Sequence, residues 1–155
     1  MANRKQKEEK VSYYFAYGSN MNHEHMKSRC PKAKYQGKFE LKEHELVFRG
    51  VADVQPNKNK SVFGGLFLIT PDCEKALDVY EGYPNFYTKD YVNDWYEDNG
   101  NLISRKIMFY TMVDKEVVYP PFGTYLNTII DGYKHCELST ESLKEAVDFS
   151  VQRLD

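Results

Sequence analysis

Two short segments combine residue types and spacings that could do chemistry. The first is Tyr17-Gly18-Ser19-Asn20-Met21, which falls where an apolar strand runs into a helix start. Such a turn points several backbone N–H groups, unpaired by sheet or helix, at one spot, a nest for an anion or a developing oxyanion. The same residues also fit an ordinary strand-to-helix turn, with Gly for freedom and Asn as cap. The second segment is Leu77-Asp78-Val79-Tyr80-Glu81-Gly82-Tyr83-Pro84. Glu81 sits at the carboxyl end of an expected helix. Helix-end negative charge and burial both disfavour a carboxylate there and raise its pKa toward the range of a general base. A solvated helix-end glutamate is the plainer alternative. Its company argues for more, since seven of the seventeen residues 80–96 are aromatic.

Other chemistries find less support. His23 and His25 flank Glu24, but a two-residue step does not put two ligands on one helical face. His44 and His135 have no ligand partner nearby in sequence, and no HExxH or Cys/His spacing occurs, so no metal is expected. Neither a GxSxG elbow nor a cysteine with an evident partner suggests covalent catalysis. Gly64-Gly65 lacks the spacing of a dinucleotide or phosphate loop. No cofactor is expected.

The composition narrows the class. A chain of 155 residues with 41% hydrophobic residues favours one domain with a core of its own. With 21 basic and 23 acidic residues, neither nucleic acid nor a membrane surface is an expected partner. No run reaches the length of a membrane span, and the first ten residues have no apolar stretch of the signal-peptide kind. Residues 1–10 read as a charged flexible tail and 11–155 as a single domain. Cys30, Cys73 and Cys136 are odd in number and far apart, so reduced thiols and a cytoplasmic location are expected. The aromatic excess, 13 Tyr and 9 Phe, is the compositional oddity.

The elements that would position these residues can be read in order. A strand is expected over 11–17, then a short helix capped by Asn20 or Asn22 and stopped at Pro31. Two strands fall around 39–41 and 46–48, a polar loop over 53–61, and a buried strand over 62–69. The Gly64-Gly65 pair in that strand suggests a bulge or a close backbone approach. Thr70-Pro71-Asp72 starts a helix that Gly82 ends with a left-handed cap. Runs 87–96 and 102–113 form a hairpin about Asn99-Gly100. Helices follow over 122–134 and 139–154. The second is capped by Ser139 and carries Leu143, Ala146, Val147, Ser150 and Leu154 on one face. Without a βαβαβ alternation the class is α+β, with a closed or strongly curved sheet and peripheral helices.

Taken together, these residues resemble the γ-glutamylcyclotransferase-like family, which includes the AIG2-like proteins. The resemblance lies in Tyr-Phe-Ala-Tyr-Gly-Ser-Asn-Met at 14–21, Val-Phe-Gly-Gly-Leu-Phe at 62–67 and a helix ending at Glu81-Gly82 with Tyr87 close behind. Pro120-Pro121 and the run from Tyr125 to Gly132 complete it. It implies a small mixed β-barrel flanked by helices and an intramolecular acyl transfer. In that reaction the α-amine of a γ-glutamyl amide attacks its own γ-carbonyl, closing 5-oxoproline and expelling an amine. Carried onto this chain, the resemblance makes Glu81 the base and later the acid. It gives Gly18, Ser19 and Asn20 the substrate oxygens, with Tyr17 as a wall, Met21 completing the segment, and Tyr87 and Tyr125 lining the pocket. The partner it implies is a small γ-glutamyl molecule, with a homodimer left open. One departure is Pro121-Phe122-Gly123-Thr124, where family members that act on free γ-glutamyl amino acids often carry Pro-Ser. Alternatives are the same cyclisation on a γ-glutamylated amine, carrier-bound intermediate or peptide, and a non-catalytic binding module. If the resemblance holds, Tyr17, Tyr87 and Tyr125 should lie near Glu81.

Overall fold

β1 (Ser12–Ala16) is the middle strand of a five-stranded sheet. On one side it pairs antiparallel with β3 (Val51–Ile69), and beyond β3 lies β2 (Lys34–Arg49). On the other it pairs parallel with β5 (Asn101–Met112), followed by β4 (Tyr87–Asp98). This arrangement comes from a computed structural model that describes residues 10–154. The charged tail expected over 1–10 therefore falls almost wholly outside the described residues.

The class is α+β as expected, but the sheet is open. Its order, β2-β3-β1-β5-β4, leaves β2 and β4 as edges, so the strands do not close into the expected barrel. Curvature brings the two halves together all the same. The Met112 amide at the end of β5 donates to Asp53 on β3 at 2.8 Å, and His44 of β2 meets the Phe109 ring of β5 edge-on. Side-chain bridges thus substitute for a closing ladder.

Residues 53–61, expected as a loop, belong to β3. Their polarity has two causes. Asp53 is fully buried but held by Arg49 and Lys115. Further on, the pairing jumps from His44↔Pro56 to Lys42↔Ser61, so a bulge carries the solvated residues 57–60 opposite Glu43, whose φ is +59°. The two short strands expected over 39–48 are parts of the single long β2 for the same reason. Gly64 is the close approach its sequence suggested: a Cβ there would collide with the Ala16 carbonyl oxygen and the Phe15 ring.

The helices follow their capping residues. A 3-10 turn (Ser19–Met21) leads to α1 (His23–Arg29), whose N-cap Asn22 accepts from the amides of Glu24 and His25. Thr70 accepts from the Cys73 amide at the start of α2 (Pro71–Glu81), and Gly82 ends that helix at φ +64°. α3 (Gly123–His135) presses Gly132 against Met21, leaving no room for a Cβ. α4 (Glu141–Gln152) buries Leu143, Ala146 and Ser150. Leu154, expected on that face, lies past the helix end and is exposed. Thr140 occupies the N-cap position expected for Ser139, whose hydroxyl instead accepts from the Glu141 amide at 3.3 Å.

The cysteine expectation is corrected. Cys30, just after α1, and Cys73, in the first turn of α2, form a disulfide, while Cys136 is a buried thiol. Helix packing pairs residues that lie 43 positions apart, a proximity that sequence spacing conceals. The argument for a reducing compartment rested on three free thiols and loses that support. No helix among the described residues is long and apolar enough to cross a membrane.

Candidate active site

Glu81 is the last residue of α2, and the left-handed turn at Gly82 immediately after it closes the helix onto Asp78 and Val79 carbonyls. The Glu81 side chain is partly buried at the edge of a cavity lined mainly by tyrosines and by the turn after β1. Burial raises its pKa to about 7, against the pull of the Arg29 guanidinium, which favours the charged form. A carboxyl group titrating there can take up or release a proton near neutrality.

Hydrogen bonds fix the tyrosines that wall the cavity. Tyr17 donates to the Tyr110 carbonyl at 2.5 Å, and Tyr110 in turn donates to Asp78 at 2.6 Å. The Ala52 peptide holds two walls at once: Tyr87 donates to its carbonyl at 2.5 Å, and its N–H donates to the Tyr125 hydroxyl at 3.0 Å. The two hydroxyls are therefore opposite in polarity. Tyr87 has spent its proton and keeps lone pairs, whereas Tyr125 has accepted and keeps a proton to give. Burial pushes both phenols well above the usual tyrosine range, so both stay neutral.

The turn after β1 is the 3-10 turn Ser19–Met21. The Met21 and Asn22 amides bond back to the Gly18 and Ser19 carbonyls. Ser19 and Asn20 are the first residues of the 3-10 turn, where amides have no acceptor within the turn. Ser19 Oγ lies 3.1 Å from the Tyr80 hydroxyl, and Asn20 Nδ2 donates to Tyr14 at 3.0 Å and to Glu81 Oε1 at 3.4 Å. A Cβ at Gly18 would touch Ala52 and stand 3.5 Å from the Tyr125 hydroxyl, so glycine brings the backbone up to the cavity wall.

Of the expected site residues, Tyr17, Gly18, Ser19, Asn20, Glu81, Tyr87 and Tyr125 all line this one cavity. Met21 does not: its side chain is fully buried in the core, against Gly132 of α3. Tyr14, Tyr80, Tyr110, Val51, Ala52 and Phe86 complete the lining. Tyr14 and Tyr80 had a sequence signal, as neighbours of the two candidate segments. Val51, Ala52 and Tyr110 had none, because the curvature of the sheet brings them in. Among the described residues, no three His, Cys, Asp or Glu side chains are grouped to hold a metal. His23 is half-buried and packs against Tyr35 and His135, whereas His25 is exposed.

Known proteins give this geometry a context. The sequence model of the gamma-glutamyl cyclotransferase, AIG2-like family matches residues 14–127. No protein with a curated description matches the chain. Among solved structures, an uncharacterized protein from Homo sapiens, loc79017, aligns with a TM-score of 0.73 at 24% identity, covering 89% of this chain and 87% of its own. A structure described as gamma-glutamyl cyclotransferase aligns with a TM-score of 0.72 at 23% identity, over 88% and 86%. YkqA from Bacillus subtilis gives 0.72 at 24% identity over 89% of this chain, which spans only 54% of that one. At these identities the structures establish a shared fold, and the family match covers most of the domain, including the Ser19 turn, Glu81 and Tyr125. The chain belongs to the gamma-glutamyl cyclotransferase, AIG2-like family.

Proposed function

We propose that this protein cyclises γ-glutamyl amides, releasing 5-oxoproline and a free amine. The observation that carries the reading is Glu81: one carboxyl group at the cavity edge, with its pKa raised to about 7, facing the turn after β1. Ring closure needs a base for the α-ammonium, a folded substrate and donors for the oxyanion, and this site supplies candidates for each.

The steps follow from the polarity of the walls. Glu81, as carboxylate, takes a proton from the substrate α-ammonium, while the lone pairs of Tyr87 accept from the same nitrogen. The freed amine attacks the γ-carbonyl carbon. The resulting oxyanion takes hydrogen bonds from the Tyr125 hydroxyl and the Ser19 and Asn20 amides. The C–N bond to the leaving group then breaks as protonated Glu81 gives its proton to the departing nitrogen. The restored carboxylate takes the second proton from the ring nitrogen and passes it to the released amine, so the lactam forms neutral and the amine leaves as an ammonium. Tyr17 walls the folded glutamyl chain.

The test is incubation with a panel of γ-glutamyl amino acids, γ-glutamyl amines and glutathione, following 5-oxoproline by mass spectrometry. Release from any of these supports the reading, and ligand-induced thermal stabilisation without product makes the protein a binding module instead. The pH dependence is a second check. Because the base must be ionised, kcat/KM should fall about tenfold per pH unit below about 7 and level off above it. A profile flat from pH 5 to 8 would remove Glu81 from the role of base.

A further inference from the structure

Arg29, the last residue of α1, reaches across to two other elements. Its guanidinium donates to Asn20 Oδ1 at 2.5 Å and lies 3.5 Å from the centre of the Tyr80 ring. The first contact has a consequence for the whole site. Guanidinium only donates, so the oxygen of the Asn20 amide must face Arg29 and the NH2 must face the other way. That NH2 points at Tyr14 and at Glu81 Oε1. The second contact, a cation over an aromatic face, ties α1 to the end of α2 one residue before Glu81. The Cys30–Cys73 disulfide ties the same end of α1 to the first turn of α2.

We propose that Arg29 is the positioning residue of this site: by fixing the Asn20 amide and the Tyr80 ring it sets which Glu81 oxygen is held and which faces the substrate. The inference rests on the cyclisation reading for its kinetic arm only. With Oε1 occupied by the Asn20 NH2, Oε2 is left as the proton-transfer atom. Arg29 is also the positive charge that offsets the burial of Glu81. The other ionisable groups around Glu81 are Tyr14 and Tyr17 from β1 and the turn after it, Tyr80, Tyr87 from β4, Tyr110 from β5 and Tyr125 from α3. Of these, Tyr14, Tyr17, Tyr87, Tyr110 and Tyr125 have pKa values raised above the ordinary tyrosine range. They remain neutral where Glu81 titrates.

The experiment compares wild type, Arg29→Gln and Arg29→Lys. A ¹³C NMR titration of the Glu81 carboxyl, assigned with Glu81→Gln, needs no activity. It should read about 7 in wild type, a higher value in Arg29→Gln, and a value close to wild type in Arg29→Lys, which keeps the charge. In the kinetic arm, Arg29→Gln should lose about 10–10²-fold in kcat, as expected when a reacting group is misplaced, and move the acid limb upward. Arg29→Lys should keep the acid limb but lose kcat, because an ammonium cannot hold Asn20 and cover Tyr80 in the same way. A Glu81 titration unchanged in Arg29→Gln overturns the proposal, as does wild-type kcat in both variants. If Arg29→Gln fails to fold, Arg29→Lys alone decides it through its kcat at constant acid limb. If wild type releases no 5-oxoproline, the cyclisation reading fails and the NMR arm still decides where Arg29 acts.

Discussion

Glu81→Gln is expected to fold like the parent and to lose on the order of 10²–10⁴ in turnover, the usual contribution of a positioned acid–base group. Glutamine keeps the shape and can accept the Asn20 hydrogen bond, but it cannot take the ammonium proton or return it. Stability should move the other way. Folding raises the pKa of Glu81 from an ordinary 4.5 to about 7, so between those values the folded state binds more protons than the unfolded one. Stability contributed by this group is therefore full below about pH 4.5 and lost as pH rises through 7. Above pH 7 the parent carries a buried charge that the variant lacks, so Glu81→Gln should melt no lower than the parent at pH 8, and higher if the cost is uncompensated. Melting curves at pH 5 and pH 8, beside 5-oxoproline release, read both effects. A variant that is equally active, or that melts well below the parent at pH 8, contradicts this account.

Asp53→Ala should produce the largest loss of stability. Asp53 is fully buried, accepts from Arg49 and Lys115 at 2.8 and 2.7 Å, and takes the Met112 amide at 2.8 Å. Removing it strands a buried guanidinium and a backbone donor, and breaking a buried ion pair costs about 3–5 kcal/mol. For a domain of this size that is a fall of roughly 6–20 °C in Tm. Arg49 keeps its bonds to the Lys115 and Val117 carbonyls and to Gln55, which limits the damage. Asp53→Asn can still accept from Met112 and should cost less. Asp53 adjoins Ala52, whose peptide holds Tyr87 and Tyr125, so activity should fall in both variants before unfolding begins. Urea or thermal unfolding measures the first effect, and initial rates well below Tm measure the second. A Tm within 2–3 °C of the parent for Asp53→Ala would mean the ion pair is compensated elsewhere, since 1 kcal/mol is worth about 2–4 °C.

What could be read from sequence was local. Thr70, Pro71 and Gly82 announce both ends of α2 because capping chemistry acts within one turn, and that alone locates Glu81 at a helix end. Asn99 and Gly100 mark their hairpin for the same reason, each taking a positive φ. What could not be read was long-range. Residues 53–61 look like a loop because two of the partners that excuse Asp53, Met112 and Lys115, lie far along the chain, and because a bulge carries the polar stretch. Met21 looked like part of the site because it follows Asn20, yet the 3-10 turn directs it inward to Gly132. Tyr110, Ala52 and the Cys30–Cys73 bond depend on how the sheet curves and how the helices pack. The aromatic excess is partly explained: six tyrosines (14, 17, 80, 87, 110 and 125) line one cavity, and Phe15, Phe48 and Phe109 fill the core.

The central place of β1 also governs the order of events in synthesis. Its first partner lies about fifty residues downstream, from Gly65 to Ile69, and its second at Ile107 and Met108. At about 5–20 residues per second, a strand emerging early waits roughly 3–10 s for β3 and longer for β5. Until then Tyr13, Tyr14 and Phe15 present an aromatic strand with both edges open, the form most prone to pair with another chain. The glycine at 64 leaves room for the Ala16 carbonyl and the Phe15 ring, so β1 can seat against β3 as soon as that strand emerges, and against β5 only later.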